Sequence, residues 1–194
     1  MSKDILISYI QKTLPISLEK AAELSDKFQY KEYNKNLYLL REAQISNHSH
    51  FLEEGYIHSY ALNTEGNEVT TAIYSAPSFA NDFLSFFKRE PCRESLQALV
   101  NCKTWFLNYE DVQNNFHSIP EFREFGRMLL INNYSVLKDR MLGMIQKSAK
   151  ERYELLLTIQ PNIFLNVPLK VIASYLGMTA TSLSRLRGDI LKNR

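Results

Sequence analysis

Between positions 179 and 187 this 194-residue chain gathers a group of side chains able to touch a polyanion: Thr179, Ala180, Thr181, Ser182, Ser184, Arg185 and Arg187. Short hydroxyls can bond phosphate or base edges without holding a backbone away, and guanidinium groups reach guanine edges or phosphates. Leu183 and Leu186 are interleaved with them, which separates polar and apolar groups onto two faces of one helix. Such a face suits a major groove. The plain alternative is a helical hairpin with a solvated charged face, and the residues just upstream weigh against it.

Those residues are what two helices crossing at a tight turn require. Ile172 and Leu176 supply apolar contacts at helical spacing, and Ala173 is small enough to let a second helix approach. Gly177 permits the left-handed backbone that ends a helix, Met178 can plug the corner, and Thr179 is a good N-cap for the second helix. Pro168 fits the first turn of the leading helix, with Asn166 as its cap. The segment Leu169–Gly188 therefore reads as a helix-turn-helix. Charge agrees with position: residues 148–194 hold seven Lys/Arg against three Asp/Glu, a net +4, whereas residues 1–147 carry −2. Phosphate neutralisation supplies much of the affinity of a DNA reader, and Lys192 and Arg194 add to the cations available.

Other elements must hold this unit in place. Residues 4–29 show apolar residues at helical spacing. From 30 to 109 the chain is rich in Tyr, Phe, Val, Ile and Thr and is broken by turn signals, which predicts short antiparallel strands closing into a small roll. The clearest hairpin is Tyr56–Tyr60 returning through Val69–Tyr74, with Thr64–Asn67 as its turn. Helical spacing returns with Phe122, Phe125, Leu129, Val136, Leu137, Met141, Met144 and Ile145, predicting one long helix from about Glu121 to Lys147. A helix on the order of 40 Å long is more than a small roll covers, so its stripe calls for a partner helix, most simply from a second subunit. Asn132 and Asn133 interrupt the stripe and could fix register. Ser148 and Glu151 form a capping-box pattern opening a further helix, AKERYELLLTIQ. With 45% hydrophobic and 12% aromatic residues the chain can bury a core. No apolar run approaches the roughly 20 residues of a membrane span, and MSKDILISYI lacks a secretory design, so a cytoplasmic protein without membrane contact is expected. Cys92 and Cys102 match no metal spacing and read as reduced thiols of a sheet.

The order of roll, long helix and helix-turn-helix resembles the Crp/Fnr family of bacterial transcription regulators, related to the catabolite activator protein. Nearly the whole chain takes part. AKERYELLL, Ala149–Leu157, and PLKVIASYLGMTATSLSRLR, Pro168–Arg187, look like the Bacteroidetes-type branch of that family. Phe51–Phe79 adds weaker marks, its Glu-Glu-Gly turn and Gly66 falling where the family's nucleotide-binding roll places them. The resemblance implies an α+β fold: a cyclic-nucleotide-binding-like β-roll (jelly roll) over 1–120, a dimerisation helix over 121–147 and a helix-turn-helix domain over 148–194, winged-helix-like with the wing reduced or absent. It further implies that Ala180, Thr181 and Arg185 touch base edges, with Thr179 and Ser182 near phosphates. The expected partners are double-stranded DNA, a second copy through Glu121–Lys147, and RNA polymerase.

One departure bears on the effector. Family members that bind cAMP hold its ribose and cyclic phosphate with a Gly-Glu pair and an Arg-Ser pair, and the matching positions here are Asn81-Asp82 and Glu94-Ser95. A carboxylate thus replaces the phosphate-pairing arginine, while Arg93 lies one residue away and so on the other strand face. cAMP is not expected to bind, and no cofactor is expected. Two alternatives stay open for the roll: another small molecule near Phe79, Asn81, Asp82, Arg93 and Ser95, or an empty pocket whose fold serves dimerisation and polymerase contact. His48, His50, Glu54 and the nearby His58 resemble the first metal motif of cupin enzymes. The second half of that motif is absent, so a cupin-like metal-dependent enzyme or metal-sensing regulator using His48, His50 and Glu54 stands as the alternative to a non-enzymatic regulator without a metal.

Overall fold

The computed structural model describes residues 2–192, leaving out the side chains of Leu191 and Lys192. Two helices open it, α1 (Asp4–Thr13) and α2 (Leu18–Asp26), the second capped by Ser17, whose hydroxyl accepts from the Lys20 amide. Eight strands follow in two four-stranded antiparallel sheets. One sheet orders β1 (Gln29–Tyr33), β8 (Cys102–Asn108), β3 (His48–Glu54) and β6 (Ser78–Ala80); the other orders β2 (Tyr38–Leu40), β7 (Ser95–Ala98), β4 (Tyr56–Leu62) and β5 (Glu68–Ser75). The β4–β5 hairpin turns at Asn63, whose Oδ1 accepts from the Glu65 and Asn67 amides. Gly55, at φ +108°, is required between β3 and β4, because an added Cβ would lie 2.7 Å from Cys102 Sγ and 2.9 Å from the Asn101 carbonyl oxygen.

The pleat divides the first sheet between two cores. On β3, Phe51 joins an apolar layer with Leu6, Ile10, Leu24, Trp105 and Leu107, while Leu52 packs between the sheets with Ile57, Ala80, Leu96 and Ala98. Cys92 and Cys102 are free, buried thiols of that second core. Helix α3 (Phe83–Lys88) interrupts the strands where the sequence predicts only short strands and turns. Its local cause is Asp82, which caps it by accepting from the Ser85 amide at 2.9 Å. Helix α4 (Tyr109–Ser118) follows β8 with Asn108 as its cap.

Helix α5 (Pro120–Gln146) spans 27 residues, about 40 Å, and starts one residue before the predicted boundary. Its predicted apolar stripe divides in two. Phe122, Phe125 and Leu129 are buried against the protein's own core, and Gly126 admits the Phe116 ring, which an added Cβ would meet at 2.5 Å. Beyond them Val136, Leu137, Met141 and Ile145 are 64%, 61%, 45% and 74% exposed, so these four side chains are left largely uncovered by the rest of the chain. Helix α6 (Ala149–Ile159) begins with both bonds of the Ser148–Glu151 capping box. Helices α7 (Ile163–Asn166), α8 (Leu169–Tyr175) and α9 (Ala180–Lys192) complete the fold, and among the described residues no strand follows β8 and no helix is long and apolar enough to cross a membrane.

Candidate functional site

Helices α8 and α9 pack as a helix-turn-helix around Ile172, Ala173, Leu176 and Leu183, supported by Tyr153, Leu156 and Ile163 from the preceding helices. Leu183 is wholly buried. Gly177 adopts φ +69°, and the Met178 amide reaches back to the Ala173 carbonyl at 3.0 Å, closing α8 with a left-handed cap. An added Cβ would also lie 2.3 Å from Met144 Cε on α5, so that flexible side-chain end would have to shift. Arg152 braces the turn, its Nε donating to the Leu176 carbonyl at 3.0 Å and its Nη1 to that of Lys147 at 2.6 Å. Thr179 Oγ1 accepts from the Ser182 amide at 3.1 Å and lies 2.8 Å from the Ser182 hydroxyl, the expected N-cap. The leading helix starts differently from expectation. Pro168 stands before α8 as its flanking residue, and Asn166 makes no cap, because its side-chain amide donates to Asn162 O and Tyr56 Oη instead.

On the far side of α9, Ala180, Thr181, Ser182, Ser184 and Arg185 are exposed and Arg187 is half-buried. Neither arginine pairs with a carboxylate among the described residues. The side chains of Lys192 and Arg194 lie outside those residues.

The unit rests on the roll. The Thr70 amide of β5 donates to Ser174 Oγ at 2.8 Å, and Arg140 Nη2 donates to the carbonyls of Thr70 and Tyr175, both at 3.2 Å, with its guanidinium over the Tyr175 ring. Leu99, Tyr56 and Ile73 of the roll meet the apolar cluster beneath α8. Sequence reasoning passes over Arg140 and Ser174, because these contacts join residues 70 and 104 positions apart in the chain. Their only sequence signal is an arginine within an apolar stripe.

Inside the roll, Glu94 Oε2 accepts from Thr71 Oγ1 at 2.8 Å, and that hydroxyl lies 2.7 Å from Ser59 Oγ. Glu94 has no cationic partner among the described residues. Tyr74 is pushed well above the usual phenol range by burial and then by the Glu94 charge, and its hydroxyl donates to the Asn81 carbonyl at 3.4 Å. The corner that the resemblance assigns to a cyclic phosphate is therefore occupied by the protein's own hydrogen bonds around a carboxylate.

A separate cavity of about 490 Å³ opens between β2, β3, the 44–47 loop and the Asn81–Asp82 segment. His50 lines it, buried, with the backbone N–H donating to Asn81 Oδ1 at 2.7 Å and the imidazole Nδ1 without a partner. Leaving such a group unpaired costs about 1–3 kcal/mol. Burial first, then the His48 and Lys31 charges, drive the His50 pKa down to about 3, and burial likewise lowers that of His48. Of the residues expected around an effector, Asn81 and Asp82 line this cavity. Phe79 does not, because β6 turns it to the opposite face, between Tyr9, Phe28, Phe51 and Phe125. Arg93 is exposed, and Ser95 Oγ accepts from the Glu42 amide at 3.0 Å. His48, His50 and Glu54 do not converge: a register shift between Leu52 and Glu54 carries the carboxylate to Lys103, and His58 sits on the other sheet beside Gln97. Among the described residues no three potential ligands gather as a metal site.

Residues 30–118 match the family described as the cyclic nucleotide-binding domain. No curated protein matches the chain by sequence. Solved structures do match it. FixK2 from Bradyrhizobium japonicum aligns with a TM-score of 0.73 and 16% identity, over 86% of this chain and 85% of that one. A variant of CooA from Carboxydothermus hydrogenoformans gives 0.65 and 20%, over 94% and 83%. The Thermus thermophilus catabolite activator protein gives 0.56 and 13%, over 92% and 85%. At such identities the likeness is one of fold. Residues 30–118 thus resemble a cyclic nucleotide-binding domain, and over most of its length the chain shares the fold of FixK2, CooA and the catabolite activator protein.

Proposed function

We propose that this protein is a sequence-specific DNA-binding regulator of transcription, working in the cytoplasm as a homodimer. The observation that carries the proposal is the outer face of α9, where Thr181, Ser184 and Arg185 stand exposed, with no side-chain partner among the described residues, on a helix anchored by Leu183. Ala180, Thr181 and Arg185 read base edges; Thr179, Ser182 and Arg187 hold phosphates. Residues 121–147 pair two subunits through the exposed apolar half of α5, residues 148–194 bind DNA and residues 1–120 form the regulatory roll, which also offers a surface to RNA polymerase. Two α9 helices then enter successive major grooves about 34 Å apart on a palindromic site.

cAMP is not the controlling ligand in this proposal, because the Glu94 carboxylate, bonded by Thr71, whose hydroxyl in turn meets Ser59, stands where a cyclic phosphate would need a cation. Selection of duplexes from a random pool by the full-length protein tests the proposal: a palindrome with half-sites one helical turn apart is expected, and recovery of the pool unchanged would refute it. Calorimetry with cAMP should give no heat of binding, and micromolar affinity would overturn the exclusion of that ligand.

A further inference from the structure

We propose that Arg140 is a positioning residue for DNA reading: it clamps the end of α8 to α5 and to β5, and so fixes the distance between the two α9 helices of a dimer. This role rests on α9 reading DNA and on α5 pairing two subunits. A helix leaves its last carbonyls without partners of its own, and cations suit them. At the end of α8 arginines from two other helices take them, Tyr175 O accepting from Arg140 Nη2 of α5 at 3.2 Å and Leu176 O from Arg152 Nε of α6 at 3.0 Å. Arg152 belongs to the helices that support α8 and α9, whereas Arg140 comes from the helix that would pair subunits.

The same Nη2 of Arg140 also donates to Thr70 O in β5 at 3.2 Å, so three elements meet at one nitrogen. From the other direction the Thr70 amide donates to Ser174 Oγ of α8 at 2.8 Å, and both backbone groups of Thr70 thereby engage the joint. Among the described residues no carboxylate pairs with Arg140. Met144, four residues further along α5, reaches the same corner, its Cε lying beside Gly177. The joint masks no reading face, because Ala180, Thr181, Ser184 and Arg185 stay exposed while it is closed. What it sets is geometry: one base pair added between half-sites turns one of them by about 35° and moves it by about 3.4 Å, which a rigid pair of α9 helices cannot follow.

Full-length protein carries the test, with Arg140→Met to remove the donors while keeping a long side chain over Tyr175 and Arg140→Lys to keep a cation. Hydrogen exchange at the Thr70 amide needs no DNA: Arg140→Met should speed it at least about tenfold relative to the amides of β3, and Arg140→Lys should not. Duplexes carrying the selected palindrome with half-sites one base pair closer, or one or two farther apart, give the second readout. The unaltered protein and Arg140→Lys should prefer the selected spacing by at least about tenfold, and Arg140→Met should bind every spacing within about threefold, with base discrimination inside each half-site kept in all three. Unchanged Thr70 exchange in Arg140→Met would overturn the role, as would equal weakening on every spacing, which a merely structural arginine would give. A palindrome bound by the unaltered protein without regard to spacing refutes the role and leaves the DNA reading intact; selection of no duplex refutes both.

Discussion

Replacing Leu137 by alanine tests subunit pairing with little risk to the protomer. The side chain is 61% exposed in the single subunit and belongs to none of the three buried clusters, so its removal leaves the fold intact. Burying a whole leucine is worth about 1.5–3 kcal/mol, and the part of Leu137 still open to a partner accounts for about 1–2 kcal/mol of that. A two-fold interface counts the loss twice, giving about 2–4 kcal/mol, or roughly 30-fold to 1,000-fold in the dimer dissociation constant. Sedimentation equilibrium on the full chain measures it directly. Leu18→Ala supplies the control, since Leu18 is 63% exposed but lies on α2, away from the proposed seam. A Leu137→Ala dimer within about threefold of the unaltered protein, or a Leu18→Ala dimer weakened to the same degree, would refute pairing through α5.

Gly177→Ala should destabilise by about 1–2 kcal/mol, because alanine must adopt φ +69° and displace the Met144 methyl; an unchanged denaturant midpoint would contradict the cap described for α8. His50 makes stability depend on pH with a definite sign. Above about pH 6.5 its imidazole is neutral folded and unfolded, so that part of the stability is complete. As pH falls from 6.5 towards the folded value of about 3, the unfolded chain takes a proton that the folded chain refuses, and stability drops by about 1.4 kcal/mol per pH unit. Urea midpoints at pH 7 and pH 5.5 should therefore fall further in the unaltered protein than in His50→Gln, and parallel losses would show that the imidazole titrates freely.

The helix-turn-helix is legible in the sequence because each of its requirements is local. Ala173, Gly177, Thr179 and Leu183 sit within eleven residues, and each has a geometric role that one side chain fills. The Ser148–Glu151 box and the β4–β5 hairpin are readable for the same reason. Helix α3 is not, because FLSFFK reads as strand by composition, and only the Asp82 cap marks the change of period. Position on an apolar stripe also does not say which half of α5 its own roll will cover. That depends on where α1, α4 and the Phe116 ring come to lie, which is a property of the tertiary fold. The same holds for the cavity, whose wall is assembled from residues 39 to 96, and for Arg140, whose two acceptors come from a strand and a distant helix end. Phe79 is expected in a pocket it does not line because the face of a three-residue strand depends on its pairing with Phe51 and Leu52, which the sequence leaves open.

Binding of Arg185→Ala across every single-base variant of the selected duplex, beside the unaltered protein, addresses most directly whether α9 reads bases. A loss of about 1–3 kcal/mol confined to one base pair in each half-site, with the other positions discriminated as before, is the predicted pattern. A uniform loss over all duplexes would make Arg185 a phosphate contact, and no loss at all would contradict the placement of α9 in the groove.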